Sequence, residues 1–329
     1  MGSITVVQEC SSYMNDPYGF DDVYDSRLPE VHRGFTLGDM SPTSSCSLID
    51  TDDETSELPE VHGDITLGDM SPISSYSIID TADGVSRLID DISLHIPDKV
   101  SRIVDSSELT LFLDVKGVNL GRGGTVSILQ IRVHPTSETF LVDIYRLGWQ
   151  AFTTPGKLYP SETMKSILSS SLVPKVFFDV RNGPSALFSQ FKISVENVLD
   201  IQLMEFYTRD FKVNNSTQLM GFWECLTHDP GITPATRATC RKIRDKGRTL
   251  FAPNHGGRPE IFNLRPLNND LKDCIIQDLI LMSVLYDCYI ERLTISTRLI
   301  VEAEVKSKLM DLQSQNYPKG NRSPRKYGY

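Results

Sequence analysis

Asp114, Lys116, Asp179, Arg181, Cys274 and Asp278 are the side chains of this 329-residue chain whose types and spacing could do chemistry. They fall in four short runs. These are Leu111-Phe-Leu-Asp114-Val-Lys116-Gly117, Lys175-Val-Phe-Phe-Asp179-Val-Arg181-Asn182-Gly183, Arg265-Pro-Leu267 and Cys274-Ile-Ile-Gln-Asp278. Carboxylates gathered by a fold hold divalent cations, and two cations so held activate water and stabilise a leaving oxygen. Asp114 and Lys116 lie two apart in an apolar run that reads as a strand, so both project from one face. Cys274 and Asp278 are four apart in a helical stretch, which again places them on one face.

The elements that must position these residues begin near Glu108. Thr110–Val115 reads as a short apolar strand, Gly123-Gly124 marks a turn, and Val126–Val133 reads as the antiparallel partner. Thr139–Ile144 gives a third strand, and 161–170 has helical spacing after a Ser cap. Lys175–Phe178 is a compact buried strand leading into a helix near Pro184–Phe191, and Val198–Leu203 a further strand running into a helix. Beyond Ser216 the pattern is helical, with long amphipathic helices over Asn269–Leu293 and Ser296–Leu312 and a basic tail at 319–326. Three successive strands followed by alternating helices and strands predict an α/β fold, a mixed sheet flanked by helices.

Residues 1–107 differ in texture. They carry 21 Asp/Glu against 5 Lys/Arg, a balance of −16, whereas 108–329 carry 22 against 28, a balance of +6; together these give the net charge of −10. Their Ser, Asp and Pro content and lack of sustained periodicity predict a long disordered acidic region. Within it residues 27–56 realign with 57–86, matching at 20 of 30 positions. The shared element is Leu-Pro-Glu-Val-His followed by Thr-Leu-Gly-Asp-Met-Ser-Pro. Two copies are too few to stack as a solenoid. A repeated linear element for a protein partner, with Ser41-Pro42 and Ser71-Pro72 as phosphate acceptors, stands beside a neutral duplication.

Six scattered cysteines without a CxxC pair argue against a disulfide framework or a zinc site, and for a reducing intracellular compartment, cytoplasmic or nuclear. No signal peptide and no apolar run near the ~18 residues of a membrane span are present, so no membrane partner is expected.

The four runs, with Ile128-Leu-Gln-Ile131 and Asp200-Ile-Gln-Leu-Met-Glu205, resemble the ribonuclease D-like 3′–5′ exonuclease domain in the version common in fungal proteins. The resemblance covers roughly 108–292. It implies a ribonuclease H-like fold at 108–293, with 294–329 a C-terminal helix and basic tail. It also implies Mg2+ or Mn2+ held by four acids in three motifs, and nucleic acid as substrate.

The family's acids are not all here. Where the first motif has Asp-x-Glu this chain has Asp114-Val-Lys116, and the Asp of the second motif falls on Gly183. The Tyr of the third motif falls on Cys274, while Asp278 is retained. A charge pair at ~4 Å in an effective dielectric of 20 is worth about 4 kcal/mol, so a lysine facing a dication repels it by roughly twice that. Asp114 and Asp278, with Lys116 between them, carry about −1 instead of −4. One expectation is that Lys116 bridges the two as a substitute cation. Metal binding at the retained acids Asp114 and Asp278 is then weak at best, or no metal is bound at all. Rescue by Asp143, Asp179 or Asp200 is a separate reading.

Two functions stay open: a catalytically impaired domain kept as a nucleic-acid-binding or interaction module, and an active metal-dependent 3′–5′ exonuclease acting on RNA or DNA. For binding, Arg237, Arg241, Arg244 and Arg248 share one helical face and could meet phosphates together with Arg181, a solvated surface helix being the alternative. Phe177, Phe178, Phe188 and Phe191 read as core rather than as base-stacking residues.

Overall fold

The computed structural model describes residues 76–96, 109–121, 123–209, 218–228 and 232–314. The first repeat copy, residues 57–75 of the second, Ser41, Ser71 and the basic tail lie outside the described residues.

Six strands form one mixed sheet in the order β1-β4-β3-β2-β5-β6. Strands β2 (Thr110–Val118), β3 (Thr125–His134) and β4 (Glu138–Val142) form the expected antiparallel meander. On one side β1 (Tyr76–Ile79) runs parallel to β4; on the other, β5 (Lys175–Phe177) runs parallel to β2 and β6 (Val198–Asp200) to β5. The α/β, ribonuclease H-like mixed sheet flanked by helices is therefore present. In β2 alternate residues Leu111, Leu113 and Val115 are buried in the main core, and Asp114 and Lys116 take the other face. The register slips between Lys116 and Gly117. A Cβ at Gly117 would lie 2.0 Å from the Thr125 carbonyl oxygen, so the bulge requires glycine there.

The expectation of disorder through residue 107 is corrected for residues 76–96. Tyr76–Ile79 is the edge strand β1, and Ala82–Ser93 is helix α1, capped by Thr81 through the Gly84 amide at 3.1 Å. The signal was there: Val85, Leu88, Ile89 and Ile92 recur at helical spacing and are at most 1% exposed. Acidic neighbours hid it. One of those, Asp90, accepts the amides of Lys157, Leu158 and Tyr159 at 2.8–3.1 Å and pins the following loop to α1.

Other boundaries shift by a few residues. β4 stops at Val142 because Asp143 caps the short helix α2 (Ile144–Leu147), which is followed by α3 (Gln150–Thr153). Helix α4 (Met164–Leu168) is capped by Thr163 with a reciprocal bond from Ser166, not by Ser161. Then come α5 (Gly183–Phe191), α6 (Ile201–Thr208), α7 (Phe222–His228), α8 (Pro234–Phe251), α9 (Asn269–Ile290) and α10 (Ile295–Gln313). Helix α10, set apart by sequence as a C-terminal segment, buries Val301, Val305, Leu309 and Leu312 in the same core as the sheet. Phe177 and Phe191 are buried, and Phe178 packs edge-on against Phe222, as core residues do.

Candidate metal and nucleic-acid site

Strand β2 and helix α9 meet where the sequence places its chemistry. Asp114 and Lys116 project from β2, and α9, capped by Asn268, lays Cys274 and Asp278 across them. The Lys116 ammonium stands between the acids, 2.8 Å from Asp114 Oδ2 and 3.7 Å from Asp278 Oδ2. Lys116 is 2% exposed. Asp114 is also held from its own sheet. Its Oδ1 accepts the Val115 amide at 2.7 Å, and its Oδ2 accepts the side-chain amide of Gln130, its partner across the ladder, at 3.1 Å.

The charges are tied to one another. Burial alone would pull the Lys116 ammonium down, but Asp114 and Asp278 outweigh it and hold its pKa above the ordinary lysine value. Asp278 is pushed up to about 6, chiefly by burial, with Asp114 adding repulsion and Lys116, Arg244 and Arg248 opposing. Burial likewise lifts the Cys274 thiol well above its usual range, so it is a neutral, packed sulfhydryl rather than a nucleophile.

Helix α8 roofs this cluster. A Cβ on Gly247 would come within 2.3 Å of Cys274 Cβ, so the two helices touch through that glycine. Gln277 donates to the Cys240 carbonyl at 2.9 Å across the same interface. The arginine stripe on α8, read either as phosphate-meeting or as a solvated face, is partly turned inward. Arg244 and Arg248 are 9% and 4% exposed, with Arg244 stacked over the Trp223 ring at 4.8 Å. Arg237 is half-buried and donates to the Thr227 carbonyl at 2.9 Å, which leaves Arg241 the exposed member, beside exposed Lys242 and Lys246. The four do share a face, but it straddles the edge of the buried one.

The other acids are committed elsewhere. Asp200, fully buried, accepts the amides of Asp179, Val180 and Gln202 at 2.9–3.2 Å. Asp179 takes the Arg181 guanidinium on both oxygens, so Arg181 is a structural partner of its own loop. Asp143 caps α2 and receives a two-pronged Arg265, which also donates to the Phe262 and Leu264 carbonyls at 2.7 and 2.8 Å. The Arg265-Pro-Leu motif thus ties the loop before α9 to the end of β4. Position 183 opens α5, and a side chain there would first meet Val115 and Phe177, at 3.3 and 3.4 Å. Sequence reasoning missed Gln130 and the inward turn of Arg244 and Arg248. A glutamine inside the apolar run Ile128-Leu-Gln-Ile131 was the available signal for the first; nothing local distinguishes the second.

The residues present do not fit the dication pair that the resemblance implies. Among the described residues no group of three or more His, Cys, Asp or Glu is placed to hold a metal ion. The strand acid is saturated by Val115, Gln130 and Lys116, and the space between it and Asp278 is filled by an ammonium.

No family model matches the chain, and no curated protein matches it in sequence. Solved structures do. Ribonuclease D of Trypanosoma brucei in its GMP complex aligns with a TM-score of 0.56 at 19% identity, over 74% of this chain and 66% of that one. This chain thus spans about two thirds of that enzyme's chain. A second structure of the same enzyme gives 0.54 at 18% identity, covering 74% of both chains. Its complex with the RNA U12 gives 0.52 at 17% identity, over 75% of this chain and 74% of that one. At such identities the likeness is one of fold: the chain has the fold of ribonuclease D-type 3′–5′ exonuclease domains.

Proposed function

We propose that this chain is a nucleic-acid-binding module built on an exonuclease fold that does not cut. One observation carries the reading: the Lys116 ammonium sits at 2.8 and 3.7 Å from the two retained acids, in the space a metal ion needs. Three further features support it. Gly183 and Cys274 leave two more chemistry-bearing positions without their side chains. Helix α8 closes over Cys274 and Asp278. The excess positive charge of 108–329 and the exposed Arg241, Lys242 and Lys246 suit a phosphate backbone. The similar Trypanosoma brucei enzyme has been solved with RNA. The acidic repeat would then serve a separate protein contact.

The competing reading, an active metal-dependent exonuclease, draws on the retained Asp114 and Asp278. Labelled single-stranded RNA and DNA, incubated with the full chain and Mg2+ or Mn2+, decide between them. Binding that is unchanged by a chelator, with no shortening of either strand, is expected. Lys116→Glu should bring a metal-dependent rise in melting temperature that the natural chain lacks. Cleavage by the natural chain that disappears in Asp114→Ala would overturn the proposal, and so would absence of binding to either polymer at low salt.

A further inference from the structure

The 30-residue duplication runs into the folded domain. Its second copy contains Tyr76-Ser-Ile-Ile-Asp-Thr81, which is β1 and the cap of α1; its first copy has Cys46-Ser-Leu-Ile-Asp-Thr51 at the same positions. The contacts that β1 makes depend on residues both copies share. Ile79 is 9% exposed in the core, Asp80 meets Arg146 at 2.7 Å, and Thr81 caps α1. Ile49, Asp50 and Thr51 repeat them. The chain therefore carries a spare copy of the edge-strand sequence.

The spare does not replace β1. Tyr76 packs against the smaller core cluster under Lys272, and Cys46 lacks that ring. The helix that follows β1 buries Val85 and Ile89; thirty residues earlier stand Thr55, in the first copy, and Pro59, just past it. Only the second copy can be continuous with α1.

The outer edge of β1 is the place left. Among the described residues β4 is its one neighbour in the sheet. The Ile79 carbonyl accepts the Asp143 amide at 2.8 Å, so the polar groups of Ile79 face β4. Successive residues alternate, so the N–H and C=O of Ile78 face outward, along the edge. The Ile78 side chain is 43% exposed, an apolar group on an edge strand.

We propose that Cys46–Ile49 of the same chain adds to this edge as a seventh strand, parallel to β1. In the in-register arrangement Leu48 lies beside Ile78, Ile49 beside Ile79 and Ser47 beside Ser77, so apolar groups meet apolar groups on both faces. Residues 50–75 connect the two strands, more than the dozen or so that a parallel crossover needs. The duplication would thus cap an edge that its second copy leaves open, whatever the cleft binds.

Amide hydrogen exchange on the full chain tests this, comparing the natural sequence with a Leu48→Pro/Ile49→Pro variant. The two prolines remove strand donors without touching β1, β4 or the cleft. The Ile78 amide should exchange at least tenfold faster in the variant, with the Leu141 amide unchanged, and tenfold dilution of the natural chain should leave its Ile78 protection intact. Equal Ile78 rates in the two proteins would overturn the proposal. Protection that fades on dilution would overturn it as well, because the added strand would then come from a second molecule.

Discussion

Two sets of acids in this domain, all buried except the part-exposed Asp114, are built in different ways. Asp200 and Asp143 are saturated by fixed donors: three backbone amides for the first, a planar guanidinium and a helix cap for the second. Asp114 and Asp278 are joined by one ammonium on a flexible stem, at unequal distances. Backbone amides and an arginine fork specify geometry, whereas a lysine supplies a point charge. The first set holds loops and helix ends in place. The second balances charge inside the cleft.

The largest effect that could break this comparison is at Asp200. Asp200→Ala leaves three buried amides without an acceptor and should cost about 4 kcal/mol of unfolding free energy in urea titration. The triple change Asp114→Asn/Lys116→Met/Asp278→Asn should stay within about 1 kcal/mol of the natural chain, since a buried ion cluster replaced as a whole is often neutral or stabilising. A triple variant as damaged as Asp200→Ala would make both sets structural. Next in size, Lys116→Met alone should cost about 3 kcal/mol at neutral pH, because it strands two carboxylates without a cation. The same denaturation measurement, finding that variant as stable as the natural chain, would mean that the ammonium balances nothing.

A separate, pH-dependent effect is expected at Lys175, which lies outside both sets. Its side chain is buried, donating to the Ser170 carbonyl at 2.5 Å, and burial pulls its pKa down to about 7 against the ordinary 10.5. The unfolded chain therefore binds more protons between pH 7 and about 10, so this residue adds stability as pH rises through that window and none below it. Lys175→Met should raise the melting temperature relative to the natural chain at pH 6 and lose that advantage by pH 10. A difference that does not change with pH would show that the ammonium is not penalised.

Much of the fold was legible in sequence. β2, β3, β5, α5, α9 and α10 lie within a few residues of where apolar periodicity puts them, because each buries one regular face. β1 and α1 were not read, since an acidic composition masked four apolar positions at helical spacing. At the site, the pairing of Asp114 with Lys116 followed from strand alternation, and that of Cys274 with Asp278 from the helical turn. The arginine stripe on α8 was read as one face, while the burial of Arg244 and Arg248 was not, because periodicity gives the direction of side chains but not what lies opposite.

The sequence by itself determined that Asp114 shares a strand face with Lys116 and that Cys274 shares a helix face with Asp278; those are matters of residue type and of spacing within one element. Only the tertiary structure decided that the lysine reaches both Asp114 and Asp278, that Gln130 bonds the first of them, and that α8 closes over the cleft. Each of these depends on strands and helices far apart in the chain meeting at ångström distances, and pairing register and helix packing are set by the whole core rather than by any local run.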